Sequence, residues 1–175
     1  MPFSSARHEI LKRQAARIVA QARRAKLVMV TVESCTAGHL VALLSLQHRA
    51  ADALAGGFVV YSTPSKARML GVPSAALRRH TPVSEYVAIA MAQGALRRSG
   101  ADIGVAVTGV AGPTRDADGN PVGLAFVAVA TRAGPAACRE LRLGSRDPNR
   151  NLLAMHRHAL EMLLDAVVRR ARRRR

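Results

Sequence analysis

The chain has 175 residues, 49% of them apolar, and carries a formal net charge of +16. That length and apolar content exclude a disordered polyelectrolyte and two well-filled domains, and match one domain with a substantial core. No apolar run approaches the roughly 20 residues of a membrane span, and the N-terminus lacks a signal-peptide core. The only cysteines, Cys35 and Cys138, stand far apart, so neither a disulfide framework nor a zinc site is indicated. A reduced, cytoplasmic protein without metal is the expectation.

The charge is concentrated at the ends. Seven lysines and arginines against Glu9 in residues 1–26, with six arginines in 169–175, account for +12 of the +16. The organisation expected is one domain over 1–168 and a basic tail over 169–175. A terminal arginine run reads first as a solvated helix end, where cations suit the helix dipole. It reads second as a non-specific polyanion contact driven by counterion release. With no Trp, two Tyr and three Phe, stacking platforms for single strands are poorly supplied.

Helical spacing over 4–24, with Ile10, Leu11, Ala15, Ile18, Val19 and Ala22 on one side, predicts an amphipathic helix. Leu27–Val32 is a short apolar, β-branched run that predicts a buried strand, and the small polar residues of 34–38 then cap a helix through Leu46. Gly56 and Gly57 read as punctuation before a second strand over 58–61. Thr63-Pro64 reads as an N-cap with proline at the first helical position, opening a short helix to Gly71. Another short helix runs from Pro73 to about Arg79, and Ser84 caps a longer one over 85–99. Residues 103–107 predict a third strand, and 114–121 is turn chemistry. Residues 122–131 and 136–143 predict a strand hairpin, and Asp147-Pro148 opens the last helix. This order predicts an α/β fold: a three-layer α/β/α sandwich on a mixed, mostly parallel five-stranded sheet, the fifth strand included.

In such a sheet the ligand crevice lies at the carboxyl ends of the parallel strands, which brings together the loops 33–38, 61–66 and 108–113. Ser34 follows a buried strand and opens a helix, a place for a nucleophile beside free amides or for a simple cap. Lys66 is the only lysine outside the first 26 residues of a chain with 24 arginines. Arginine stays protonated, whereas a desolvated lysine can act as a base, so a serine–lysine pair forms a possible hydrolytic machine. Tyr61 could relay a proton or edge the core. Gly109 and Gly112 flank a small loop able to approach an anion closely. Cys35 reads as packing behind the loop, and His80, His156 and His158 lack partners at metal spacing.

Taken together, E-S-C-T-A-G-H-L at 33–40, G-F-V-V-Y-S-T-P-S-K-A-R-M-L-G-V at 57–72, V-S-E-Y-V-A at 83–88 and T-G-V-A-G-P at 108–113 closely resemble the CinA C-terminal domain family. The P-V-G of 121–123 and the G-S-R-D of 144–147 extend the resemblance over roughly residues 8–166. This family includes the nicotinamide mononucleotide deamidases. The resemblance implies an amidohydrolase with Ser34 as nucleophile, Lys66 as base and Tyr61 assisting, and an oxyanion held by amides of the 34–38 turn. It implies substrate contacts from Thr36, Gly38, Thr108, Gly109, Gly112 and Arg146, no cofactor and no metal, and a homo-oligomer. The alternative is a non-catalytic module binding nucleotides in the same cleft, or nucleic acid through the basic ends. Two features depart from the family. Its first loop commonly carries two glycines where this chain has Ala37 and Gly38, a change expected to be tolerated if Ala37 is helical. The arginine-rich end is also an addition, and the length suits the stand-alone form of the domain.

Overall fold

The computed structural model describes residues 6–174, apart from the Arg7 side chain. The apolar period of the first helix is realised as α1 (Ala6–Arg24), and positions 4–5 lie outside the described residues. There follow β1 (Met29–Glu33), α2 (His39–Ser45), β2 (Leu54–Val59), α3 (Thr63–Leu70), α4 (Ser74–His80) and α5 (Glu85–Ser99). The second half holds β3 (Ile103–Gly109), β4 (Leu124–Thr131), β5 (Ala137–Arg142) and α6 (Pro148–Arg172). A turn of 3-10 helix at Ala50–Asp52, unmarked in the sequence pattern, leads into β2.

The five strands form one sheet in the order β2-β1-β3-β4-β5. β1 pairs in parallel with both β2 and β3, whereas β4 is antiparallel to β3 and β5. Four strands therefore point one way and β4 alone runs against them. Side chains alternate across the sheet. Met29, Val105 and Val107 face a core built with Ile18, Leu44 and Leu160 of α1, α2 and α6. Val30, Val32 and Ala106 face a second core built with Leu70, Leu77 and Met91 of α3, α4 and α5. The result is the expected α/β/α sandwich, with β1 buried along its whole length.

Local expectations fail where backbone packing overrides composition. Gly56 and Gly57 lie inside β2 and do not punctuate it. A Cβ at Gly57 would stand 2.5 Å from Thr31 Oγ1 and 2.9 Å from Val41 Cβ, so the missing side chain lets α2 press against the sheet. Gly56, at φ +135°, accompanies a register shift in the β1–β2 ladder between Met29 and Val30. Thr108 and Gly109 extend β3 where a loop was expected. The cap of α3 is Ser62, one residue earlier than expected, and its hydroxyl accepts from the Ser65 amide. The arginine run continues α6 to Arg172, and Arg174 folds back to donate to the Lys26 carbonyl and to Asp102, each at 2.7 Å. Among the described residues no helix is long and apolar enough to cross a membrane.

Candidate active site

Ser34 is the first residue beyond β1. Its amide donates to the Val107 carbonyl at 3.1 Å and the Glu33 carbonyl accepts from Val60 at 2.8 Å, so both ladders of the central strand continue up to the serine. The position is thus fixed by three strands at once. Lys66 arrives from α3, whose second turn aims the side chain back under the ends of β1 and β2. It is 1% exposed, the bulkiest of the fully buried side chains. Its Nζ lies 2.9 Å from Ser34 Oγ and 3.0 Å from the Val60 carbonyl oxygen.

Among the described residues no carboxylate pairs with this buried amine. Burial lowers its pKa from 10.5 to about 8, with the neighbouring Cys35 acting in the opposite direction. A neutral amine has two N–H bonds and one lone pair. Donating to Val60 fixes its rotation and leaves the lone pair able to take the Ser34 proton. The same burial pushes the Cys35 thiol up to about 12 and removes it as a competing nucleophile. Its sulfur packs 3.6 Å from Met155 Sδ, the packing role expected.

The helix that follows is capped from an unexpected source. Glu33 is fully buried, and its carboxylate accepts from the amides of Gly38 (3.0 Å), Leu40 (3.0 Å) and Val41 (2.8 Å). The N-cap residue itself, Gly38, offers no side chain. Glu33 thus neutralises the start of α2 from within the protein. The signal was present in the sequence as a lone acid between an apolar strand and a helix. This changes the oxyanion hole read from the sequence. Within 34–38, the Ser34, Ala37 and Gly38 amides are already committed, to Val107, Ser34 and Glu33. Those of Cys35 and Thr36 have no backbone acceptor among the described residues and instead point to the Cys35 sulfur. Ala37 is also not helical as supposed; its φ of +50° is left-handed, where the family's glycine fits without strain.

The cleft at Ser34 has a volume of about 360 Å³. Ser34, Tyr61, Lys66, Thr108, Gly109 and Gly112 all line it, so the three loops do converge. Tyr61, however, is 75% exposed and makes no hydrogen bond to Ser34 or Lys66, so it stands on the cleft wall, outside the pair. Thr108 donates to the Pro82 carbonyl at 2.9 Å and ties the loop before α5 to β3. Gly109 is required by packing, since a Cβ there would stand 2.5 Å from that of Ala125. Gly112 has φ +115°, precedes a cis proline and lines the cleft.

Three expected contacts are not on the cleft wall. Thr36 is buried behind it with its hydroxyl unpartnered among the described residues, and the Gly38 amide belongs to Glu33. Arg146 is exposed; its backbone passes near Gly112, but its side chain does not line the cleft. In their place stands the loop read only as turn chemistry. Asp116 accepts from the amides of Asp118 and Asn120 at 3.1 and 2.8 Å, and this local cap holds Asp116, Ala117 and Asp118 on the wall. His156 lies outside the cleft. It is buried beside His39, with ring centroids 5.8 Å apart, and burial lowers its pKa to about 4.

Comparison with known proteins places this arrangement. The family model of the CinA C-terminal domain matches residues 11–167. A CinA-like protein of Mycolicibacterium vanbaalenii is 45% identical over 132 residues, and one of Akkermansia muciniphila is 40% identical over 149. These matches cover 73% and 85% of this chain but 31% and 36% of those proteins, so the chain spans about a third of their length. The crystal structure of the competence/damage inducible protein CihA from Agrobacterium tumefaciens superposes with a TM-score of 0.84 at 38% identity, covering 90% of this chain and 94% of that one. A CinA superfamily protein from Escherichia coli gives a TM-score of 0.84 at 30% identity, covering 89% and 90%. The chain belongs to the CinA C-terminal domain family.

Proposed function

We propose that the chain is an amidohydrolase that converts nicotinamide mononucleotide and water to nicotinate mononucleotide and ammonia. The observation that carries this reading is the 2.9 Å contact between Ser34 Oγ and a buried lysine amine that has no carboxylate partner among the described residues. The substrate is the one implied by the family resemblance.

In the first half-reaction Ser34 Oγ attacks the carboxamide carbon while its proton passes to Lys66 Nζ. The tetrahedral oxyanion takes the Cys35 and Thr36 amides over from the Cys35 sulfur. Lys66 then returns the proton to the departing nitrogen, the C–N bond breaks, and ammonia leaves an ester on Ser34. In the second half, water gives a proton to Lys66 and attacks the ester, and Ser34 leaves with that proton. Lys66 alone carries every transfer. Tyr61, exposed on the wall, offers its ring to the flat pyridine.

Ammonia release from nicotinamide mononucleotide tests the reading. Ser34→Ala should lower kcat by several orders of magnitude with unchanged circular dichroism, and adding Lys66→Ala should lower it little further, because the two act as a unit. Wild-type turnover in folded Ser34→Ala would end the amidase assignment. A wild-type chain that binds the nucleotide without releasing ammonia would replace it with the binding module.

A further inference from the structure

The Ser34–Lys66 cleft does not end at α3. A second recess of about 640 Å³ adjoins it, and the two share Thr63, Pro82 and Asp118 as walls. Its other side is formed by α3 and α4, which contribute Arg68 and Arg78. Both arginines are exposed. Neither joins any of the ion pairs that hold Arg23, Arg49, Arg139, Arg142, Arg150, Arg157 and Arg174 among the described residues. Asp118 is the one carboxylate on the wall, so two guanidinium groups against one carboxylate leave the recess positive.

Helix geometry sets the spacing. Lys66 faces Ser34, and Arg68, two residues on, points about 200° around the axis to the far side of α3. Thr63 touches both cavities, and Arg68 lies about 7.5 Å further along the helix. Because Thr63, Pro82 and Asp118 wall both cavities, a ligand reacting at Ser34 and passing over Thr63 enters the recess lined by Arg68 and Arg78. Planar guanidinium forks suit the oxygens of a phosphate monoester. Arg146, the cation suggested by the motif, is not on either wall.

We infer that this recess is the phosphate subsite, in which Arg68 and Arg78 hold the dianionic end of a phosphorylated substrate whose reacting group lies at Ser34. The identity of the reacting group rests on the amidase reading; the phosphate site does not. It gives the enzyme its preference for a nucleotide over the corresponding nucleoside.

Titration calorimetry with ribose 5-phosphate as the probe, and ribose as its uncharged counterpart, separates the two claims. The wild-type chain should bind ribose 5-phosphate in preference to ribose. Arg68→Ala/Arg78→Ala should weaken that binding on the order of ten- to hundredfold, the loss expected for charge-assisted hydrogen bonds. Arg97→Ala/Arg98→Ala, which removes equal charge at the far end of α5, should leave it within about twofold. Wild-type affinity in the Arg68/Arg78 variant, an equal loss in the Arg97/Arg98 variant, or no wild-type preference for the phosphate would each overturn the proposal. With nicotinamide mononucleotide, the same pair of substitutions should raise KM. Phosphate binding without any ammonia release would sink the amidase and leave the subsite standing.

Discussion

Proton loss from Lys66 should set the pH dependence of catalysis. With its pKa lowered to about 8, about one molecule in ten holds the neutral amine at pH 7 and about one in a hundred at pH 6. kcat/KM should therefore rise about tenfold per unit up to pH 7 and level off above about pH 9. A solvated lysine would put the same limb near 10.5. Ammonia release followed from pH 6 to 10 at constant ionic strength measures it directly. Lys66→Arg keeps the charge but cannot lose its proton, so activity should fall by about two to four orders of magnitude, the contribution of a positioned base. The same shift has a stability consequence of known sign. The unfolded chain binds this proton up to 10.5 and the folded chain only up to about 8. Folding stability should thus gain up to about 3 kcal/mol as pH rises across that window, and the contribution should be constant below it. A rate limb near 10, a flat profile between pH 6 and 9, or a limb that survives in Lys66→Arg would refute Lys66 as the base.

The remaining expectations concern the frame around the pair. Glu33→Ala leaves the Gly38, Leu40 and Val41 amides without their acceptor, and should cost about 3 kcal/mol or more in urea unfolding; a loss below about 1 kcal/mol would remove Glu33 as the anchor of α2. Ala37→Gly relieves a left-handed alanine at φ +50° and should raise stability by about 1 kcal/mol, read as an upward shift in thermal midpoint. His156 takes its proton at about 4 when folded and at 6.5 when unfolded. The unfolded state therefore binds more protons between those values, and stability should fall by up to about 3 kcal/mol as pH drops through them. His156→Leu should flatten that acid limb, and an unchanged slope in the variant would assign it elsewhere.

Much of the site is legible in the sequence. Strand and helix periods fix which residues alternate, and parallel strands necessarily deliver the loops after β1, β2 and β3 to the same edge. Ser34 and Lys66 could therefore be paired from their positions on two such loops, in a chain that otherwise uses arginine for nearly all its cations. Composition could not decide which acceptor each buried donor finds, because those partners are distant in sequence or lie on another element. Glu33 takes the Gly38 amide that was expected to help hold an oxyanion, Tyr61 turns outward, and His39 meets His156 across 117 positions. Nor could it show that Gly57 is a packing residue inside a strand, since the Cβ it lacks would collide with Thr31 and Val41 only after α2 docks. The local period of the sequence determined the elements and the edge where chemistry could occur. Desolvation and the competition for hydrogen bonds, which exist only in the packed molecule, decided which of those residues hold the site.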